Sequence, residues 1–122
     1  MAQVTVSRNK SCVVVEIVAP SLMDTRELDT LAEDLYRLVD EQDSRRLLLD
    51  FGKVQFISSR AIGILANLHR ATSRLKGGLL VLCNCSPNLM QLLKIVKFDK
   101  LIPIKATQEE ALNHFERMKA LA

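Results

Sequence analysis

Short apolar runs alternate along the chain with longer segments in which apolar residues recur every three or four positions. The two runs nearest the N-terminus are rich in β-branched residues, and Asn9, Lys10 and Ser11 between them are typical of a hairpin turn. The later runs are nearly all apolar, as expected of parallel strands that are covered on both faces. The pattern therefore predicts strands over residues 4–8, 13–18, 46–51, 79–85 and 101–104.

Between the strands, the apolar residues follow the spacing of one face of a helix. Helix starts are marked by a capping box or by a cap followed by proline, in the pairs Asp24/Glu27, Ser86/Pro87 and Thr107/Glu110. Gly77 and Gly78 end the second helix. Four helices are predicted, and the residues expected to face the core are Leu28, Leu31, Leu35, Leu38 and Val39; Ala61, Ile64, Leu65, Leu68, Thr72 and Leu75; Leu89, Leu92, Leu93 and Val96; and Leu112, Phe115 and Met118.

The predicted order of elements is β-β-α-β-α-β-α-β-α. Strands that alternate with helices pair in parallel through right-handed crossovers, and the first hairpin adds an antiparallel edge. The chain has 122 residues, which suits one domain with a single core. We therefore expect a single α/β domain over residues 1–122, with a mixed, mostly parallel sheet of about four to five strands and about four helices.

The composition is that of a soluble globular protein, with 48% hydrophobic and 25% charged residues. The net charge is +3, and the lysines and arginines are scattered among aspartates and glutamates. A basic stripe with stacking aromatic residues is not visible, so we do not expect direct binding of nucleic acid. The N-terminus lacks the apolar region of a signal peptide, and the apolar runs are far shorter than the roughly 20 residues that span a bilayer. We expect a cytoplasmic protein without membrane insertion.

The residues that could carry enzyme or metal chemistry do not form a recognisable site. Cys12, Cys83 and Cys85 are interpreted as reduced, buried thiols, because a C-x-C pair without further ligands is a poor metal site. His69 and His114 are each isolated in the sequence. The G-x-S-x-G turn and the glycine-rich phosphate loops are absent, and the carboxylates are spread over predicted helix surfaces. We therefore expect no catalytic residues, no metal and no cofactor.

Two adjacent serines, Ser58 and Ser59, stand where an apolar run gives way to the second predicted helix. The first turn of a helix has free backbone N–H groups and a partial positive charge. Ser58 is well placed to cap them, which contributes about 1 kcal/mol, and Ser59 is then free to point outward. A phosphate on Ser59 would add about −1.5 to −2 charges where a helix tolerates an anion. From the residues alone, two capping serines and a phosphorylation switch both stay open.

A second stripe runs along the second predicted helix, opposite its apolar face. Gly63 lies within it, and a glycine inside a helix destabilises the helix by up to about 1 kcal/mol relative to alanine. On an outward face the missing side chain lets another backbone come close. The stripe is either a partner surface or an ordinary solvated face, and it consists of Arg60, Gly63, Asn67, Arg70 and Arg74.

Residues 50–65, DFGKVQFISSRAIGIL, resemble the signature of STAS domains of the bacterial anti-sigma factor antagonist type. That signature has an apolar strand ending in Asp or Asn, an apolar-x-Val-x-Phe run, then Met or Ile, Asp or Ser, and Ser, followed by a small residue, Gly-Leu and a helix. Further segments resemble the family in the same order along nearly the whole chain: LMD at 22–24, KGGLLVL at 76–82, SPNLMQLL at 86–93 and TQEEAL at 107–112.

The resemblance implies a small regulator without catalytic activity, which binds a serine kinase that doubles as an anti-sigma factor and thereby releases the sigma factor. In this family the kinase phosphorylates the serine that corresponds to Ser59, and a metal-dependent PP2C-type phosphatase restores it. Ser58 stands where many members have Asp. The resemblance implies that six residues lie at or near the partner: Asp24, Ser58, Ser59, Arg60, Gly63 and Asn67.

The chain departs from the family pattern directly after the serine pair, where Arg60, Ala61 and Ile62 stand in place of the usual small residue and Gly-Leu. The long cation of Arg60 could pair with a phosphate on Ser59 or alter which kinase is accepted. The alternative to a switched antagonist is a constitutive STAS assembly module of a signalling scaffold or membrane-transport complex, in which the serines only cap the helix. The sequence does not determine the oligomeric state.

Overall fold

A five-stranded sheet forms the centre of the domain. The computed structural model describes residues 4–9, 12–18, 21–22, 25–40 and 45–121. The first two strands of this sheet are antiparallel, and its other strand pairs are parallel. The sheet runs in the order β1 (Val4–Arg8), β2 (Val13–Ile17), β4 (Arg46–Asp50), β6 (Leu79–Cys83) and β7 (Ile104–Lys105), and β3 (Ser21–Leu22) pairs in parallel with β5 (Phe56–Ile57) in a separate sheet.

The described ranges contain four helices, of which the first three connect strands and the fourth follows the last strand. They are α1 (Thr25–Asp40), α2 (Ser59–Ser73), α3 (Pro87–Ile95) and α4 (Gln108–Leu121), and a 3-10 turn at Phe98–Lys100 follows α3. The predicted α/β domain with a mixed, mostly parallel sheet is confirmed. None of the helices in these ranges combines the length and the apolar character that a membrane span requires.

Some predicted features fall on residues that the structure does not describe. Lys10 and Ser11 of the predicted hairpin turn lie outside the described residues, although β1 and β2 pair as expected. Asp24, predicted as the cap of the first helix and as a partner residue, also lies outside them. Its two roles stay predictions.

Alternate residues of the central strand β4 pack on opposite faces of the sheet. Leu47 and Leu49 belong to the larger core, beneath α1, α2 and α3. Leu48 belongs to a smaller core with Phe115 of α4 on the other face. All three leucines have no exposed surface. The nearly continuous apolar runs of the sequence are explained by this double burial, because such strands meet a helix layer on both sides.

The predicted inward faces of α1 and α2 are largely confirmed. All five predicted residues of α1 are buried, and so are Ala61, Ile64, Leu65, Leu68 and Thr72 of α2, whereas Leu75 is half-buried beyond the helix end. Gly77 has a φ of +74°, and a Cβ on Gly78 would overlap the carbonyl oxygen of Thr72. The two glycines are therefore required for the chain to turn from α2 into β6.

Several predicted element ends are wrong. The strand predicted over 79–85 stops at Cys83, because Asn84 adopts a left-handed φ of 57°. The strand predicted over 101–104 is displaced to Ile104–Lys105, because the chain first makes the 3-10 turn. Val96 is 39% exposed rather than buried, because it follows the last residue of α3.

The buried face of α4 also differs from the prediction. Ala111 and Phe115 are fully buried, Leu112 is half-buried, and Met118 is 41% exposed. A step of three residues falls about 60° short of a full helical turn, so that residues at i, i+3 and i+6 drift away from one line. The four-residue step between Ala111 and Phe115 keeps both side chains against the sheet.

One carboxylate, Asp50, is buried at the end of β4, unlike the carboxylates that the sequence predicts on helix surfaces. Asp50 is 5% exposed. Its oxygens accept hydrogen bonds from the N–H of Gly52 at 2.8 Å, from the amide of Asn84 at 3.1 and 3.2 Å, and from the amide of Gln108 at 3.0 Å. Asp50 thereby ties the end of β4 to the loop after β6 and to the first turn of α4.

We expect Asp50→Ala to lower the free energy of unfolding by about 2 to 4 kcal/mol, because the part-buried hydrogen bonds from Gly52, Asn84 and Gln108 are lost. Urea unfolding followed by circular dichroism measures the change. Asp99→Ala, at an exposed aspartate of the 3-10 turn, is the control and should change stability by less than about 0.5 kcal/mol. Equal effects of the two substitutions would show that the Asp50 hydrogen bonds do not hold these loops.

Candidate functional site

The candidate site lies at the junction of β5 and α2. Val54, just before β5, is 1% exposed, and its N–H donates to the carbonyl of Phe51 at 3.0 Å. β5 then pairs with β3 through Phe56 and Ile57. The junction is therefore held in place before α2 begins at Ser59.

Ser58 caps α2, as the sequence predicts. Its backbone is extended, with φ −94° and ψ 168°, and its Oγ accepts a hydrogen bond from the N–H of Ala61 at 3.2 Å. Its carbonyl accepts from the N–H of Ile62 at 3.2 Å, which starts the helical pattern. Ser58 is half-buried, so its hydroxyl is committed to the fold.

Ser59 has a different environment from its neighbour. It is the first residue of α2 and is exposed. The first turn of α2 contains no acidic side chain, so the partial positive charge of the helix start is not offset there by a carboxylate. An anionic group on Ser59 would meet the free N–H groups of this turn rather than a like charge.

Arg60 pairs with Asp29, which lies on α1. Nη2 of Arg60 donates to Oδ1 of Asp29, and both side chains are about half exposed, at 50% and 52%. An exposed pair of this kind contributes at most about 1 kcal/mol. The contact nevertheless joins α1 to the first turn of α2 next to Ser59. The sequence does not identify Asp29, because the pair is 31 residues apart.

Gly63 and Asn67 lie about one and two turns further along α2, and both are exposed. A Cβ on Gly63 would meet no atom within 4 Å, so packing inside the domain does not require glycine there. The amide oxygen of Asn67 accepts a hydrogen bond from Arg70 at 3.2 Å. The structure thus brings Ser58, Ser59 and Arg60 together and continues their surface along one face of α2.

Phe56 is an exposed apolar side chain close in sequence to this surface. It is 58% exposed, two residues before Ser58. Large exposed aromatic side chains are frequent anchors of protein–protein contacts. The sequence points to Phe56 only weakly. The chain has five aromatic residues, and Phe56 is the one that stands near the serine pair.

The cysteines are free thiols with little tendency to ionise. Burial raises the pKa of Cys12 to about 11. Burial, together with the charge of Asp50, raises the pKa of Cys83 and of Cys85 to about 12. Because the thiolate is the form that binds metals and reacts, these side chains are poor ligands. Within the described ranges, no three His, Cys, Asp or Glu side chains form a metal-binding group.

The fold that carries this junction is shared by known proteins. The model of the STAS domain family matches residues 3–111. An anti-sigma F factor antagonist from Paenibacillus polymyxa is 28% identical over 95 residues, which cover 74% of this chain and 80% of that protein.

Solved structures of other proteins have the same fold, including the following two. An anti-sigma-factor antagonist (STAS) domain protein from Planctomyces limnophilus has a TM-score of 0.82 at 21% identity, covering 94% of this chain and 99% of that one. The Bacillus cell fate determinant SpoIIAA in its phosphorylated form has a TM-score of 0.71 at 17% identity, covering 91% and 97%.

We expect Ser58→Ala to destabilise the protein by about 1 kcal/mol, because α2 loses its cap. Ser59→Ala is the matched control and should change the free energy of unfolding by less than about 0.5 kcal/mol, because Ser59 is exposed. Ser58→Asp should restore most of the loss, since Asp is an equally good capping residue. Thermal unfolding of the three variants checks this, and an equal loss in Ser58→Ala and Ser59→Ala would contradict it.

Proposed function

The chain belongs to the STAS domain family, and from this premise we propose that it is an anti-sigma factor antagonist switched by phosphorylation of Ser59. Unmodified, it binds a serine kinase that also acts as an anti-sigma factor, and the sigma factor is released. The kinase then transfers the γ-phosphoryl group of ATP to the Ser59 hydroxyl, which weakens the complex. A PP2C-type phosphatase hydrolyses the phosphoserine and restores the active form.

One observation supports this role above all. Ser58 uses its hydroxyl to cap α2, while Ser59 beside it is exposed. A kinase needs a hydroxyl that it can reach, and a phosphatase needs to reach the same oxygen again. Of the two serines, only Ser59 meets this need without loss of the cap.

The charge of the modification explains how binding would be lost while the fold survives. A phosphate adds about −1.5 to −2 charges at the start of α2, where an anion is favoured. In a docked complex the same charge would have to leave water without a partner on the kinase. A hundredfold loss of affinity corresponds to about 2.8 kcal/mol, which is within the cost of moving a phosphate out of water when Arg60 offsets only part of its charge.

Arg60 gives Ser59 a neighbouring cation that is held by Asp29 when the serine is unmodified. A phosphate carries more charge than one carboxylate, so Arg60 would turn from Asp29 toward phosphorylated Ser59. The ion pair between Arg60 and Asp29 would then be lost, while α1 and α2 would stay packed through the core. Arg60 in this way contributes to the switch and to the choice of kinase.

The proposed partner surface combines one exposed side chain of the structure with the residues that the family resemblance implies. We include the exposed Phe56 with the residues that the family resemblance implies: Asp24, Ser58, Ser59, Arg60, Gly63 and Asn67. No catalytic residue, cofactor or metal forms part of this proposal, and the protein would act in the cytoplasm by binding alone.

The alternative, a constitutive assembly module, is not favoured. The curated relative from Paenibacillus polymyxa is itself an anti-sigma F factor antagonist, and SpoIIAA has been solved in a phosphorylated form. A switch requires an exposed hydroxyl such as that of Ser59, whereas a constitutive module does not require one.

Incubation with the cognate kinase and ATP is expected to place one phosphate on Ser59, which mass spectrometry of proteolytic fragments locates. Ser59→Ala should take up none. Ser58→Ala is the control, because it lacks the neighbouring hydroxyl but keeps the proposed acceptor and should still be labelled. Full labelling of Ser59→Ala, or no phosphate on the wild type, would refute the proposal.

In the same system Ser59→Asp should bind the kinase at least about tenfold more weakly than Ser59→Ala. The phosphorylated wild type should lose more, because a phosphate carries more charge than a carboxylate. Isothermal titration calorimetry measures the three affinities, and indistinguishable values would favour the constitutive module instead.

Gly63 allows a test of the partner surface that does not involve phosphate. Gly63→Ala should raise the free energy of unfolding by up to about 1 kcal/mol, because alanine favours the helix and its Cβ meets open space. Gly63→Leu should fold but bind the kinase at least about tenfold more weakly, because the larger side chain holds the partner away. Asn113→Leu on the exposed face of α4 is the control, and equal kinase binding by both leucine variants would exclude Gly63 from the interface.

A further inference from the structure

The acidic residues are not distributed as evenly as the overall composition suggests. No Asp or Glu occurs between Asp50 and Asp99, whereas this stretch contains Lys53, Arg60, Arg70, Arg74, Lys76, Lys94 and Lys97. The expectation that cations and carboxylates are interleaved is therefore wrong for α2 and α3. The consequence is a surface of one sign along the second half of α2.

A groove of about 400 Å³ lies on this surface, between the second half of α2 and the segment that follows the 3-10 turn. Arg70, Arg74 and Ser73 are exposed at its edge, and His69 is half-buried. Ala66 and Leu101 supply apolar lining, and Leu101 is 49% exposed. The groove thus combines cations with one accessible aliphatic side chain.

The cations around the groove have no carboxylate partner. In the described part of the chain, Arg74 forms no ion pair, and Arg70 donates only to the amide of Asn67. Nδ1 of His69 is buried and has no hydrogen-bond partner among the described residues. The two arginines can be paired by a ligand that brings negative charge and hydrogen-bonding oxygens.

We propose that this groove binds an acidic segment of a partner protein, with carboxylates on Arg70 and Arg74 and an aliphatic side chain against Leu101 and Ala66. The two arginines are four residues apart and therefore lie on one side of α2. Guanidinium groups bind carboxylates in a bidentate manner. The aliphatic side chain of the partner segment would contact Leu101 and Ala66, which a purely ionic ligand could not do.

The lining favours a protein segment over the other common polyanions. Single-stranded nucleic acids and nucleotides bind through aromatic side chains on which bases stack, and the residues lining this groove include no aromatic ring other than the His69 imidazole. An anionic membrane presents a flat surface, which does not enter a concave site.

The groove is separate from the serine pair. Arg70 lies eleven residues after Ser59 on the same helix, which is about 16 Å at the helical rise per residue. Binding in the groove therefore does not require the Ser59 surface, and the state of Ser59 should not change it. A partner would use the groove as a second contact site.

A second groove on the domain provides the internal comparison. It is of similar size, about 550 Å³, and is lined by Lys105, Glu110, Asn113, Glu116 and Arg117. Its cations and carboxylates are mixed, so it offers an acidic segment little net attraction. Arg117 is an exposed helical arginine like Arg74, which makes it a matched position for substitution.

The proposal is tested by fluorescence anisotropy with the full chain and a labelled synthetic peptide of Glu and Leu residues. We expect saturable binding that weakens as salt is raised. Arg74→Glu should weaken it at least about tenfold, whereas Arg117→Glu should change it less than about twofold. Leu101→Asp should also weaken binding, and a peptide with Ser in place of Leu should bind less tightly. Ser59→Asp should bind like the wild type.

Three results would overturn the proposal. The first is no binding up to about 1 mM peptide, and the second is an equal loss in Arg74→Glu and Arg117→Glu, which would mean attraction by net charge alone. The third is tighter binding of phosphatidylserine vesicles or of single-stranded RNA than of the peptide, which would assign the groove to a different partner. Circular dichroism of each variant verifies that it is folded. A loss of peptide binding in Ser59→Asp would contradict the independence of the groove from the serine pair.

Discussion

The rest of the structure depends on the burial of β4 and β6 on both faces of the sheet. Leu47, Leu48 and Leu49 cannot be covered by one helix layer, so each crossover must bring a helix across one face or the other. Parallel strands then all end at the same edge of the sheet. Asp50 and the loop that contains Asn84 meet there, and the segment that carries the serine pair follows directly after β4. The position of the candidate site is thus a consequence of how the core is closed.

At the start of α2, two adjacent serines have different environments: Ser58 caps the helix, and Ser59 is exposed. The helix needs an oxygen for its first N–H groups, and Ser58 provides it. Ser59 is left exposed in the favourable field of the same helix start. Arg60 then connects this turn to α1 through Asp29. A change of charge on Ser59 can therefore alter a surface and a contact between helices without loss of the cap.

α2 presents two surfaces at its two ends. The first turn carries the serine pair beside the exposed Phe56, and the second half carries Arg70 and Arg74 in a groove without carboxylates. These ends are about 16 Å apart on a rigid helix. Under the two proposals, α2 holds a modifiable contact at one end and a permanent one at the other, and a partner that uses both would keep part of its affinity when Ser59 is modified.

The sequence by itself determined the elements and their local signals. Periodicity predicted the four helices and the five strands of the main sheet, but not the short strands β3 and β5. The caps at Ser58 and Ser86 were predicted because a capping residue interacts with atoms only three positions away. The ends of β6 and α3 and the buried face of α4 were predicted less well. Only the tertiary structure decided the pairing of Arg60 with Asp29, 31 residues away, the hydrogen bond from Gln108 to Asp50, 58 residues away, and the position of Leu101 beside α2. Such contacts depend on how helices pack on the sheet, and no local spacing in the chain specifies them.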